Sequence, residues 1–474
     1  MVFMVLGSLL LVVSWKVVDL QVVHNDELQR QGDARTVRND PIVATRGNIV
    51  DRNGEPLAIS TPVLSLWLNP KEVLNRPDQW PQLAAALKGI GLDADATHKR
   101  ITEASRREFL YLKRRMVPAE AQAILDLKLM GVYAQEEYKR YYPMGEAAVH
   151  VVGLANNDEQ GQEGLELAYE DWLRGVPGSR RVLKDRLGRI VQEVGIPEMA
   201  QPGKDLVLSL DSRLQYLAYK TLKEAVSMRQ AAAGTVTVLD VATGEVLAMV
   251  SQPSFNPNNR STMTDEGKRN RAIVDLMEPG STAKTFAVTA ALESGVFTEQ
   301  SVIQTSPGYM RIDSAAIRDP VDYGPSTLER ILYKSSQVGA SKMALAIGEE
   351  PMLDVLDRVG FGESPGTGFP GETTGVLPNR SRWSKTEIAT MAYGYGFQVT
   401  PLQLAAAYMT YANRGIRKPV SLLKTEGPVM GTRVIDEAVA DTVVDMLRSV
   451  VSRAVGGTGV RAAIPSHEVA GKTG

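Results

Sequence analysis

The 474-residue chain contains no cysteine. That removes disulfide scaffolds, thiolate metal sites and cysteine nucleophiles together, and it suits an oxidising compartment where a stray thiol is a liability. Histidine is nearly as scarce: His24, His98, His150 and His467 are the four, and none stands in a metal-ligand spacing such as H-E-x-x-H. Acyl-transfer or hydrolytic chemistry here must activate its nucleophile without a histidine, and no metal or other cofactor is expected. An excess of either charge is also missing. Lys and Arg number 53 against 55 Asp and Glu, a net charge of −2 that offers nothing to a polyanion, so no nucleic-acid partner is expected. There is no repeat and no low-complexity tract, and a chain of this length calls for two or three domains.

One long apolar run is present. Met1 to Trp15 reads MVFMVLGSLLLVVSW, uncharged until Lys16. As a helix it covers roughly 22 Å of a ~30 Å hydrocarbon core, and Val17 and Val18 extend it if Lys16 snorkels. Neither a basic segment before the run nor a small-x-small cleavage site after it marks a removable signal, so residues 1–18 are expected to be an uncleaved transmembrane anchor. The true N-terminus is expected upstream, and without basic flanks the orientation cannot be read from loop charges.

Residues 19–39 are polar and helix-compatible, a stalk. Ile42-Val43, Asn48-Ile49-Val50 and Leu57-Ala58-Ile59 are strand-like, with Arg52-Asn53-Gly54 as a turn between them. A helical, charge-rich stretch is expected from Pro81 to Leu129, then a turn-rich region to Gly203, with the basic stretch Lys184 to Arg189 as a solvated hairpin. Composition shifts at Gln201-Pro202-Gly203-Lys204, a linker. Beyond it DLVLSLD and GTVTVLDVATGEVLAMV read as strands, the latter a hairpin through Ala242-Thr243-Gly244. Helices dominate from 279 to 455, and HEVAGKTG is strand-like. The pattern is α+β.

Three short motifs occur in order: Ser281-Thr282-Ala283-Lys284, Ser335-Ser336-Gln337 and Lys472-Thr473-Gly474, with Ser281, Ser335 and Lys472 spaced 54 and 137 residues apart. S-x-x-K alone decides nothing, because Ser421-Leu422-Leu423-Lys424 repeats it. Context separates the two. Ser281 follows Glu278-Pro279-Gly280, a helix start, and Ala283, Phe286, Ala287, Ala290 and Ala291 follow at three- and four-residue spacing. Ser421 follows Lys418-Pro419-Val420 in a strand-like or irregular stretch and reads as structural. A serine hydroxyl is a poor nucleophile until a base takes its proton. On a helix Lys284 shares a face with Ser281, and it acts as a base only when neutral, which needs burial or a neighbouring cation such as Lys472. The helix start offers backbone N–H groups to an oxyanion, and Ser335 can relay a proton to the leaving amine. The bland alternative is a serine cap beside a surface lysine.

The ordered triplet is the signature of penicillin-binding proteins and serine β-lactamases. The chain resembles class B penicillin-binding proteins over nearly its whole length. Arg46-Gly47 with Asp51-Arg52-Asn53-Gly54, and Arg140-Tyr141-Tyr142-Pro143 with His150, Gly153 and Glu163-Gly164-Leu165-Glu166, resemble two blocks of their N-terminal domain. Asn270-Arg271-Ala272 and Tyr393-Gly394-Tyr395-Gly396 with Val399-Thr400 resemble the transpeptidase domain, and SSQVGASK (335–342) looks like the cell-division type. The resemblance implies a β-lactamase-like transpeptidase fold, an antiparallel sheet flanked by helices, at 204–474. An elongated pedestal (dimerisation-like) domain at 19–203 and the single transmembrane helix precede it. It implies a peptidoglycan D,D-transpeptidase with Ser281, Lys284, Ser335 and Lys472 catalytic and Gln337, Thr473 and Gly474 binding substrate. A D-Ala-D-Ala carboxypeptidase side activity, covalent inhibition by β-lactams, and a place in the bacterial inner membrane with the catalytic domain in the periplasm are further implications. Partners would be stem peptides, a septal glycosyltransferase and other division proteins.

Two features depart from the family pattern. Gln337 stands where the family has Asn, whose implied role is to hold the substrate backbone and orient the two lysines; Gln is one methylene longer. The chain also stops within K-T-G, whereas the resemblance implies a second oxyanion donor after Gly474 and further strands, so the sequence is expected to be a fragment. A catalytically impaired scaffold or β-lactam sensor, and a hydrolase, are the competing functions. His150 reads as a fold-forming histidine and His467 as incidental. AGKTG is no phosphate loop, because Ser466 stands where that pattern needs glycine.

Overall fold

The computed structural model describes residues 7, 10, 13–19, 37–184 and 190–474. Among the described residues no helix is long and apolar enough to cross a membrane; much of the expected anchor 1–18, the stalk over 20–36 and the basic stretch from 185 to 189 lie outside them.

The chain forms two compact units, discontinuous in sequence: residues 1–48, 59–141 and 171–204, and residues 49–58, 142–170 and 205–474. In the first, the strand Pro56–Leu68 supplies its residues from Ile59 to a sheet, pairing antiparallel with Val132–Tyr141 and Leu110–Met116. The helices Trp80–Gly89, Ala94–Glu103 and Pro118–Leu125 build a core with it through Leu66, Leu68, Leu83, Leu87, Ile101 and Ile124. The strand Leu110–Met116 interrupts what the sequence presents as one helical stretch. Leu110, Leu112 and Met116 recur at period two, and the sheet edge beside Leu64–Leu68 gives that pattern a partner. A second sheet pairs Val37–Ile42 with Gly178–Lys184 and that strand with Ile190–Glu193.

The second unit recruits two early segments. The turn after Ile49–Val50 is tied by Asp51, whose carboxylate accepts from Asn53, Glu55 and Ser212 N–H. Tyr142 N–H donates to Asn258, and buried His150 lies 2.7 Å from the Gly267 carbonyl. Burial pushes the His150 imidazole down to about 4, so it is neutral at physiological pH. The helix Ser212–Arg229, capped by Asp211, lies against the hairpin Gly234–Leu239/Val246–Gln252. Buried Gln215 accepts from Met249 N–H and donates to the Met249 and Ala147 carbonyls. The hairpin matches the sequence reading, its turn held by Asp240 accepting from Thr243 N–H.

The helical body surrounds Lys284–Glu293. Lys284 to Ala291 are all buried, so this helix has no solvent stripe and belongs in the centre of the body. Phe286 packs edge-on to Phe361 with ring centroids 5.1 Å apart, and Leu328–Lys334, Gln337–Ile347, Pro401–Ala412 and Glu437–Val451 close around it. Two findings correct the sequence reading here. Small hairpins, Val302–Gln304 with Pro325–Thr327 and Tyr309–Ile312 with Ala315–Arg318, interrupt the helices. The final segment is not a strand: residues 468–474 form no ladder, and Gly471 N–H donates to the carbonyl of helical Leu447. Extended sequence becomes a strand only beside a second backbone.

Candidate active site

Gly280–Ala283 forms a 3₁₀ turn that runs directly into Lys284–Glu293, so Ser281 sits at the start of a buried helix. Gly280 has φ +57°, and a β-carbon on Gly394 would lie 2.0 Å from the Gly280 carbonyl oxygen. Two glycines thus let two backbones cross where the turn begins. The buried Tyr408 hydroxyl donates to the Thr282 carbonyl at 3.0 Å and lies 2.8 Å from Thr285 Oγ1, pinning the turn from behind.

One turn on, the Lys284 side chain is fully buried, with Nζ 3.0 Å from Ser281 Oγ, 3.0 Å from Ser335 Oγ and 2.6 Å from the Ser335 carbonyl. Burial first, and the Lys472 charge second, lower its ammonium to about 7, against an opposing pull from Asp319. Lys472 Nζ reaches the same Ser335 hydroxyl at 3.0 Å and the Thr473 carbonyl at 2.8 Å, and burial lowers it to about 8.

Ser335 owes its position to two helix ends. It terminates Leu328–Lys334 in the left-handed conformation, φ +56°, which turns both its hydroxyl and its carbonyl to Lys284. A non-glycine residue held there stores on the order of 1–2 kcal/mol. The next residue, Ser336, caps Gln337–Ile347 by accepting from Gly339 N–H at 2.9 Å. Asp319 completes the corner: it accepts from Ser336 Oγ and Gln337 N–H, each at 2.6 Å, and from Val338 N–H at 3.2 Å. Its negative charge sits where the helix start is positive.

Ser281, Lys284, Ser335 and Lys472 therefore come together in one chain of contacts. Thr473 joins through its carbonyl, while its hydroxyl lies 3.0 Å from that of Thr458. Exposed Gly474 ends the segment. The half-buried Gln337 amide makes no hydrogen bond to another described residue, and both lysines reach the Ser335 hydroxyl. Ser421 is elsewhere: its hydroxyl donates to the Leu423 carbonyl, and Lys424 reaches the Arg52 carbonyl. Asp319 and Tyr408 were not singled out from the sequence. Asp319 precedes Pro320 in an unremarkable turn-like pair, and Tyr408 carries no motif; only packing brings either to the site.

The penicillin-binding protein transpeptidase domain matches residues 234–474, and the penicillin-binding protein dimerisation domain matches residues 41–208. The peptidoglycan D,D-transpeptidase FtsI of Escherichia coli K12 is 43% identical over 478 aligned positions, which cover 100% of this chain and 79% of that protein. The probable peptidoglycan D,D-transpeptidase PenA of Neisseria meningitidis serogroup A is 40% identical, covering 96% and 78%. Among solved structures, penicillin-binding protein 3 of Mycobacterium tuberculosis complexed with ampicillin superposes with a TM-score of 0.68 at 26% identity, over 91% of this chain and 81% of that one. Lysine-activated serine geometry and these likenesses agree: the chain belongs to the penicillin-binding transpeptidase family, in the branch that carries a dimerisation domain.

Proposed function

We propose that this protein is a peptidoglycan D,D-transpeptidase working through a Ser281 acyl-enzyme. The observation that carries the reading is Lys284 Nζ lying 3.0 Å from Ser281 Oγ with its ammonium lowered to about 7. Neutral Lys284 takes the Ser281 proton as Oγ attacks the penultimate D-alanine carbonyl of a stem peptide. The bond to the terminal D-alanine breaks, and Ser335 Oγ–H delivers a proton to the departing amine while accepting one from a lysine. An amine of a neighbouring stem peptide then attacks the ester, the cross-link forms, and Ser281 recovers its proton. A β-lactam follows the first half of this path. Lys472, held charged beside Ser335, keeps the lysine pair from both carrying a proton. Gln337, Thr473 and Gly474 line the substrate's path, and a D-Ala-D-Ala carboxypeptidase activity would be water taking the amine's place.

The setting we propose is the bacterial division septum, with residues 1–18 anchoring the chain once in the inner membrane, 19–203 as a pedestal and 204–474 as the catalytic domain in the periplasm. The uncharged run before Lys16 and the division-type SSQVGASK support it, and a septal glycosyltransferase is the partner that this setting requires.

Incubation with a penicillin followed by peptide mass mapping tests the nucleophile. One adduct on the peptide holding Ser281 is expected, and none on the peptide holding Ser421; an adduct on any other serine overturns the reading. A second experiment concerns Gln337. Because its amide is untethered, Gln337→Asn is expected to acylate as fast or faster, and a loss beyond about tenfold, some 1.4 kcal/mol of barrier, would mean that the site depends on the longer side chain.

A further inference from the structure

The helices Lys284–Glu293 and Pro401–Ala412 meet through two hydroxyl pairs. Tyr408 Oη lies 2.8 Å from Thr285 Oγ1, and Tyr411 Oη lies 2.7 Å from Thr289 Oγ1. Both threonines are fully buried, and both tyrosine rings pack against Phe286, with centroids 5.7 and 5.8 Å away. Burial pushes both phenols up, so each keeps its proton at physiological pH and can donate.

The two phenol protons go to different places, because a hydroxyl has one hydrogen to give. Thr289 Oγ1 donates to the Thr285 carbonyl at 3.0 Å, so Tyr411 donates to Thr289 and its bond runs between side chains. Tyr408 donates to the Thr282 carbonyl at 3.0 Å, so Thr285 donates to Tyr408. Of the pair, Tyr408 is the one that holds backbone next to the nucleophile.

That carbonyl belongs to the 3₁₀ turn Gly280–Ala283, one residue past Ser281. Hydrogen bonds in a 3₁₀ turn are less well aligned than in an α-helix, and here the Lys284 N–H is shared by the Ser281 and Thr282 carbonyls. Such a turn is softer than the helix it feeds, yet Ser281 Oγ has to stay 3.0 Å from Lys284 Nζ. The Tyr408 hydroxyl adds a restraint from outside the turn.

We propose that Tyr408 is a positioning residue for acylation: by holding the Thr282 carbonyl it fixes the turn that aims Ser281 Oγ and N–H at the substrate. The inference rests on Ser281 being the nucleophile. Tyr411 is the internal comparison, a second phenol on the same helix that hydrogen-bonds to a threonine side chain instead.

The rate of labelling by a fluorescent penicillin, followed against its concentration, gives the acylation rate constant at saturation and the dissociation constant of the complex that precedes it. Tyr408→Phe keeps the ring and should lower that rate constant about tenfold, with the dissociation constant changed less than about twofold. Tyr411→Phe loses a comparable hydroxyl and should acylate within about twofold of the wild-type rate. Thermal melts should show both variants destabilised, so loss of stability does not account for the difference between them. Tyr408→Phe combined with Thr285→Val removes both hydroxyls of the pair, should melt higher than Tyr408→Phe and should stay slow, which keeps the test available if Tyr408→Phe does not fold. Wild-type acylation by Tyr408→Phe, equal slowing by both phenylalanines, an effect confined to the dissociation constant, or recovery of rate in the double variant overturns the proposal. Peptide mapping of the wild-type adduct is done first: an adduct on another serine overturns this inference together with the proposed function, whereas an adduct on Ser281 with no slowing in Tyr408→Phe overturns the role of Tyr408 alone.

Discussion

Replacing Lys284 by alanine is expected to slow penicillin acylation roughly 10²–10⁴-fold, the range that a positioned general base contributes. In the proposed mechanism its neutral form is the working one. An unshifted lysine would be neutral at pH 7 in roughly one molecule in three thousand; one lowered to about 7 is neutral in about half of them. Burial supplies most of that change and the Lys472 charge the rest. Because the folded-state value lies below the unfolded one, Lys284 destabilises the fold progressively as pH falls from 10.5 towards 7, and its removal relieves that cost. Lys284→Met, which keeps most of the buried volume, should be equally slow, and a thermal melt of each variant separates lost chemistry from lost folding. A Lys284→Ala protein acylating at near wild-type rate would remove the lysine from the chemistry.

The same two lysines set a pH profile. Acylation should rise through about pH 7 as Lys284 loses its proton and fall above about pH 8 as Lys472 loses the charge held beside Ser335. The sign of their coupling is also testable. Lys472 lowers Lys284, so Lys472→Met should move the acid limb to higher pH as well as reduce the rate. An acid limb that stays fixed would mean that burial alone tunes Lys284.

The sequence made Ser281, Lys284 and Lys472 legible for a local reason: a helix start, a three-residue spacing and a terminal motif are each visible without knowing what packs where. Ser335 could be named but not explained, since the helix start that follows it, at Ser336 and Gln337, is held by Asp319 from well earlier in the chain. Asp319 itself was illegible because a carboxylate that caps a distant helix leaves no periodicity around it. The failures in the fold have the same origin. Leu110–Met116 carries a seven-residue period-two pattern inside a charged helical neighbourhood, and only the strand at Leu64–Leu68 decides for it. Residues 468–474 carry strand-like composition, but among the described residues no backbone pairs with them in a ladder. Local chemistry was readable; partners supplied from afar were not.

Ser335 is where that distant support meets the reaction, and Ser335→Ala is expected to cost roughly 10²–10³-fold in acylation. Among the described residues, its hydroxyl is the one group hydrogen-bonded to both Lys284 Nζ and Lys472 Nζ, each at 3.0 Å. In alanine the carbonyl contact to Lys284 at 2.6 Å can persist, so the base keeps its place and the acid limb near pH 7 should survive. Lys284→Ala must lose that limb. A reduced rate with an intact limb therefore separates a broken proton path from a missing base. Strain gives a second separation. Alanine inherits the cost of φ +56°, whereas Ser335→Gly escapes it and should be about 1 kcal/mol more stable than Ser335→Ala. The two variants should nonetheless be equally slow, because both lack the hydroxyl. If glycine recovered most of the wild-type rate, the hydroxyl would be dispensable, the left-handed corner alone would matter, and the leaving amine would have to take its proton directly from Lys284.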